Sequence, residues 1–280
     1  MAEITSAAVV KLREMTNAGM MNCKKALIEA NGDVQKAVEI LRKKGAATAQ
    51  IKAARSAKEG AIAQFIQPGA RLGVLVEVNC ETDFVARNET FRAFCDEAAR
   101  KLAADPSANL EADREAVVAK IRENIRIARH TRMEVGGHGM VAAYIHTGAK
   151  VGVLVEVGAG SESTAANDDF KQLVKNITLQ IAAAHPMTVT RQEVDPAVIA
   201  KEKEIAAAQV KNKPPQAIAK IVEGKLEKFY QTCCLLDQGY VKQNGEVSVK
   251  QHVESVAGQL GDEITIRRFV RFQVGEAPAA

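Results

Sequence analysis

The residues best suited to chemistry by type and spacing are Thr82-Asp83-Phe84-Val85, which set a carboxylate beside an aromatic ring in a short loop. An exposed Phe flanked by an Asp is poor solubility chemistry unless a partner receives it. Other reactive side chains offer less. The five histidines (His130, His138, His146, His185 and His252) show no metal-ligand spacing and no pairing with carboxylates. The five cysteines (Cys23, Cys80, Cys95, Cys233 and Cys234) are odd in number and lack a C-x-x-C pair. Adjacent Cys233-Cys234 is a poor geometry for a bridge, so all five read as reduced core thiols. There is no phosphate-cradling G-x-x-x-x-G-K-S/T, no convincing G-x-G-x-x-G and no recognisable nucleophile setting. The expectation is a protein that is not an enzyme and uses neither metal nor cofactor.

Two elements must position the loop. Before it, Leu72-Gly73-Val74-Leu75-Val76-Glu77-Val78 is rich in β-branched residues and reads as a buried strand. After it, Asn88 is a good N-cap for a helix whose inner face is Phe91, Phe94, Cys95, Ala98 and Leu102. The competing reading is that Phe84 or Val85 simply staples the entrance of that helix.

A duplication bears on the choice. Shifted by 79 positions, residues 60–78 match 139–157 at eleven of nineteen positions without a gap. The pattern continues, with Asn88 on Asn167, Phe91 on Phe170, Phe94 on Leu173 and Leu102 on Ile181. Each copy reads as a hairpin followed by a helix. The closing strand repeats at a different shift, 139, with Ile125-Arg126-Ile127 on Ile264-Thr265-Ile266, Arg129 on Arg268 and Arg132 on Arg271. The second copy therefore carries 60 extra residues, which contain two helical stretches around Lys211-Asn212-Lys213-Pro214-Pro215. Thr82-Asp83-Phe84-Val85 stands where the second copy has Ser161-Glu162-Ser163-Thr164. A loop of equal length starts the second helix without an aromatic ring, which argues against the staple.

The rest of the chain reads around this core. Residues 1–45 form three short helices: Thr5 caps the first, which turns Val9, Leu12 and Met15 or Thr16 inward, and Asp33 caps the third. Met20-Met21 lies at the turn between the first two, as gap filler or as a soft contact patch. Ala46 to Lys58 has no caps and no apolar stripe and reads as a linker that can be partly helical. Gly136-Gly137-His138-Gly139 reads as the hinge between copies. The assignment is an α+β chain: an N-terminal three-helix module (1–50), a linker (51–59), a first β-β-α-β copy (60–137), a second (138–275) with a helical hairpin inserted at about 195–230, and a tail (276–280). A formal charge of +4 is too small to demand nucleic acid, and no apolar run or signal pattern points to a membrane. A cytoplasmic protein is expected.

On Thr16-Asn17-Ala18-Gly19-Met20-Met21-Asn22-Cys23-Lys24-Lys25-Ala26-Leu27 and Val78-Asn79-Cys80-Glu81-Thr82-Asp83-Phe84-Val85, the chain resembles the bacterial translation elongation factor Ts family. The resemblance implies a ubiquitin-associated-like helical module, a duplicated antiparallel core and an inserted coiled-coil hairpin. It implies a guanine-nucleotide exchange factor that binds the GDP form of the GTPase elongation factor Tu, expels GDP and leaves when GTP enters. It further implies that Thr82, Asp83, Phe84 and Val85 disturb the partner's Mg2+ site, with Phe84 wedged between partner helices. Leu12, Met20 and Met21 would meet the nucleotide-binding domain, and His146 another domain of the partner. The hairpin is a candidate dimerisation element. Where some family members have a further C-terminal helix this chain has only its short tail, and Gly239 replaces a usual proline. The rival reading is an RNA- or ribosome-associated protein, motivated by Lys24-Lys25, Arg42-Lys43-Lys44 and a pI near 8.7.

Overall fold

The computed structural model describes residues 4–16, 18–210 and 214–276. Three helices come first: α1 (Ser6–Thr16), α2 (Met20–Glu29) and α3 (Val34–Lys52). They enclose a small core of Val9, Leu12, Cys23, Ala26, Leu27 and Ala37. Asp33 caps α3 by accepting from Lys36 N at 3.1 Å. Residues 46–52, the start of the stretch read as a linker that can be partly helical, are the last turns of α3. Ala49, the buried position of that stretch, is part of the next core but too small to announce an apolar stripe, and just before it a Cβ on Gly45 would lie 3.6 Å from Ala119 Cβ.

The first copy runs β1 (Glu59–Ile66), β2 (Leu72–Cys80), α4 (Asp83–Ala86), α5 (Glu89–Ala104), α6 (Glu111–Ile121) and β3 (Arg126–Glu134). The second runs β4 (Gly139–Ile145), β5 (Val151–Ala159), α7 (Glu162–Ala166), α8 (Asp168–Ala184), the inserted pair α9 (Pro196–Ala208) and α10 (Pro215–Cys233), then α11 (Val249–Leu260) and β6 (Ile264–Gln273). Each copy makes an antiparallel three-stranded sheet, ordered β1-β2-β3 and β4-β5-β6. The β-β-α-β outline holds, with α6 and α11 added before each closing strand. Lys211–Lys213 of the turn between α9 and α10, Asn17 of the first motif, and tail residues 277–280 lie outside the described residues.

Every residue of β2 is buried, because α5 covers one face of its sheet and the other sheet covers the second. The sheets meet at two equivalent glycines. A Cβ on Gly73 would come within 2.6 to 2.9 Å of Ile66, Val141 and Leu154, and one on Gly152 would come within 2.5 Å of Ile62. Paired backbone bonds repeat the symmetry: Ile62 N donates to Ala149 O at 2.8 Å, and Val141 N to Ala70 O at 2.7 Å. The segment at Gly136, read as the hinge between the copies, joins β3 to β4 and is held by hydrogen bonds. Arg71 donates to Gly137 O (2.6 Å) and Val135 O (3.1 Å), and Arg267 to Gly136 O.

Two buried glutamates lock the copies together. Glu77 takes Arg129 Nε at 2.8 Å and Gly275 N from the second copy at 2.9 Å. Its counterpart Glu156 takes Arg268 Nε at 2.7 Å and Gly136 N from the first copy at 3.4 Å. Burial pushes the Glu156 carboxyl up, but hydrogen bonds from Arg267 and Arg268 outweigh it and hold the group below the ordinary range. A carboxyl with a lower pKa in the folded state stabilises above its unfolded pKa, and that contribution is lost as pH falls through the folded value. Glu156→Gln is expected to cost about 2 kcal/mol at neutral pH and to make stability fall less steeply below about pH 5. Urea unfolding across that range measures both.

Candidate functional site

The loop after β2 is built from its backbone outward. Thr82 caps α4, its Oγ1 accepting from Val85 N at 3.3 Å. Glu123, in the turn between α6 and β3, holds the loop from behind. Its Oε2 accepts from Glu81 N (3.0 Å) and Thr82 N (3.1 Å), and its Oε1 from Thr82 Oγ1 (2.7 Å). The turn returns a bond, Asn124 N donating to Glu81 Oε1 at 2.6 Å. Arg122 makes this possible by adopting a left-handed φ of 66°, which reverses the chain out of α6.

On this fixed base Val85 packs against the first core and Ala86 is buried, while the Phe84 ring is 82% exposed. The packing role considered for Phe84 or Val85 thus falls to Val85. Asp83 accepts from Arg87 Nη2 at 3.0 Å, an exposed pair that holds it weakly.

The second copy has the same device without the ring. Ser161 caps α7 by accepting from Thr164 N at 3.3 Å and donates to Asp262 Oδ2 at 2.7 Å. Hydrogen bonds from Thr164 and Ser161 hold the Asp262 carboxyl below its ordinary value. Asp262 occupies the position of Glu123, and exposed Ser163 that of Phe84. Sequence reasoning missed the Glu123 clamp; the signal available was its equivalence to Asp262 at the 139-residue shift.

Arg92 was also missed. From the first turn of α5, its Nε donates to Ala86 O at 2.6 Å and its Nη2 to Gly148 O at 3.2 Å. It thereby ties α4 to the β4–β5 turn, which carries His146. Its counterpart Lys171 pairs instead with Asp168 at 2.9 Å, and a cleft of about 700 Å3 stands open between α7 and the β1–β2 turn. His146 is exposed and shares a 2.9 Å hydrogen bond through Nδ1 with the Tyr144 hydroxyl.

The N-terminal candidates divide. Met20 and Met21 are 41% and 65% exposed, and a Cβ on Gly19 beside them would lie 3.6 Å from Arg122, next to the Glu123 clamp. The methionine turn and the Phe84 loop therefore share one corner of the molecule. Leu12 does not join this surface. It is fully buried in the module core, a correction to its expected place in a contact patch. Its role is to hold α1 against α2.

No cluster of metal-binding side chains occurs among the described residues. Burial pushes the Cys80 and Cys233 thiols up to about 12, and the Cys95 thiol higher still, so these groups stay protonated and unreactive. No helix among the described residues is long and apolar enough to cross a membrane.

The family described as Elongation factor TS matches residues 81–276. An Elongation factor Ts of Symbiobacterium thermophilum is 47% identical over 285 residues, covering 99% of this chain and 93% of that protein. Those of Nostoc punctiforme and Lawsonia intracellularis are each 41% identical, covering 99% and 97% of this chain and 94% and 99% of their own lengths. These matches, which cover nearly the whole chain, show that the chain belongs to the elongation factor Ts family.

Proposed function

We propose that this chain is a guanine-nucleotide exchange factor in translation elongation, releasing GDP from elongation factor Tu by contact alone. The observation that carries the proposal is Phe84, a large apolar ring left in solvent on a loop that Glu123 and Thr82 hold rigid. With the backbone held, only the ring's own two torsions need to be ordered on docking, which favours its use as an anchor. A GTPase holds GDP through backbone donors, a lysine and a Mg2+ bridging phosphate oxygens. In this reading the ring enters between partner helices beside that ion. Asp83 leaves its weak pair with Arg87 and disturbs the neighbouring contacts. Losing Mg2+ exposes phosphate charge, and GDP leaves. Linkage requires the reverse as well: GDP lowers the affinity of the exchange factor by the same factor.

The test is stopped-flow release of fluorescent GDP from elongation factor Tu. Release accelerated by catalytic amounts of the chain supports the reading, and a rate equal to the spontaneous one overturns it. Two variants probe its supports. Met20→Ser with Met21→Ser should leave thermal stability unchanged, since both side chains are exposed, and weaken association about tenfold. Arg92→Lys keeps the charge but cannot span both carbonyls. It should slow GDP release about threefold to tenfold while stability changes by less than ~1 kcal/mol.

A further inference from the structure

A cleft of about 690 Å3 lies between α8, the ends of β4, β5 and β6, and the loop at Tyr240–Lys242. Lys58, Lys150, Lys242 and Arg271 line it, against Glu59, which Lys150 engages. Glu276, another carboxylate near Arg271, lies 3.9 Å from Arg129. The duplication shows what is unusual here. In the first copy Arg132 donates from Nε to Ala103 O at 3.3 Å and pairs with Glu134 at 2.9 Å. In the second, Arg271 stands at that place and Gln273 replaces the glutamate. Arg271 Nη2 donates to Gln273 Oε1 (2.9 Å) and to His185 Nε2 (2.8 Å). Its Nε is buried and has no acceptor among the described residues. A scaffold arginine has thus exchanged a carboxylate and a carbonyl for two neutral acceptors, beside a cavity large enough for a ligand. Burial and the adjacent guanidinium hold His185 below its ordinary value, which suits a neutral acceptor.

We infer that this cleft binds an oxyanion, with Arg271 as its principal donor and Lys58 and Lys242 completing the field. The oxyanion is either free phosphate or a carboxylate on the partner GTPase, and the two sources are separable by experiment. The site itself stands apart from the exchange reading; only the choice of source uses it.

The full chain is titrated with inorganic phosphate while histidine ring protons are followed by NMR. The expected result is a saturable shift at His185, its titration midpoint rising by about one pH unit, with no such shift at His130 on β3. Arg271→Gln should abolish the response. Lys242→Gln, at an exposed position, should weaken phosphate binding about threefold and serves if the first variant fails to fold. Shifts that never saturate, or that persist in both variants, overturn the proposal. Addition of nucleotide-free elongation factor Tu identifies the source. A partner carboxylate would displace phosphate, and Arg271→Gln would then speed dissociation of the complex about tenfold. Retained phosphate and an unchanged dissociation rate identify the free ion. Wild-type exchange measured in parallel separates failure of the site from failure of the exchange reading.

Discussion

Replacing Phe84 with alanine is expected to slow stimulated GDP release at least about tenfold, because a buried aromatic anchor is typically worth ~2 kcal/mol or more at an interface. Stability should not fall. The ring is 82% exposed, while Val85 and Ala86 make the local packing and remain in place. Thr82 and Glu123 are likewise untouched, so the truncated loop keeps its shape. Thermal unfolding and stopped-flow release on the same preparation give the answer. A variant as fast as wild type would remove Phe84 from the mechanism, and one that melts early would show that the ring packs after all.

What could be read without coordinates follows from which residues carry periodicity. Phe91, Phe94, Cys95, Ala98 and Leu102 are all buried, as their helical spacing requires, and so are the duplicated runs of β2 and β5. The extent of α3 and the whole of α6 escaped because small or sparse residues make their contacts: Gly45 and Ala49 on one, Val117 and Val118 on the other. Leu12 is instructive in another way. Its spacing from Val9 turned it inward, whereas the family resemblance set it on the contact patch, and the structure sides with the spacing. The clamp on the loop was invisible for a physical reason. Glu123 acts on Thr82 across 41 positions of sequence, through a left-handed turn at Arg122 that no local propensity announces. Arg92 reaches Gly148 across 56 positions, and only its contrast with Lys171 reveals the bridge.

Exchanging the whole loop should have the larger effect. Thr82-Asp83-Phe84-Val85 is replaced by the Ser-Glu-Ser-Thr of the second copy, with Asn88, Glu123 and Arg92 untouched. Serine at 82 can cap the turn and donate to the carboxylate behind it, as Ser161 does with Thr164 N and Asp262. Threonine at 85 loses a methyl contact with the first core, but its hydroxyl has the partner that Thr164 finds in Ser161 Oγ at 3.0 Å. The summed cost to stability should stay near ~1 kcal/mol. Function should not survive to that degree. Without ring and aspartate the rigid turn has nothing to insert, so stimulated release should fall toward the spontaneous rate, well beyond the loss from Phe84→Ala alone. Association should persist, because Met20 and Met21 lie on a separate helix and His146 in the β4–β5 turn. A surface-binding assay beside the release assay separates the two properties. Tight binding without exchange would make the four residues the working part of the protein. A folded exchange mutant that still released GDP at the wild-type rate would move that role elsewhere, to the methionine turn or the β4–β5 turn.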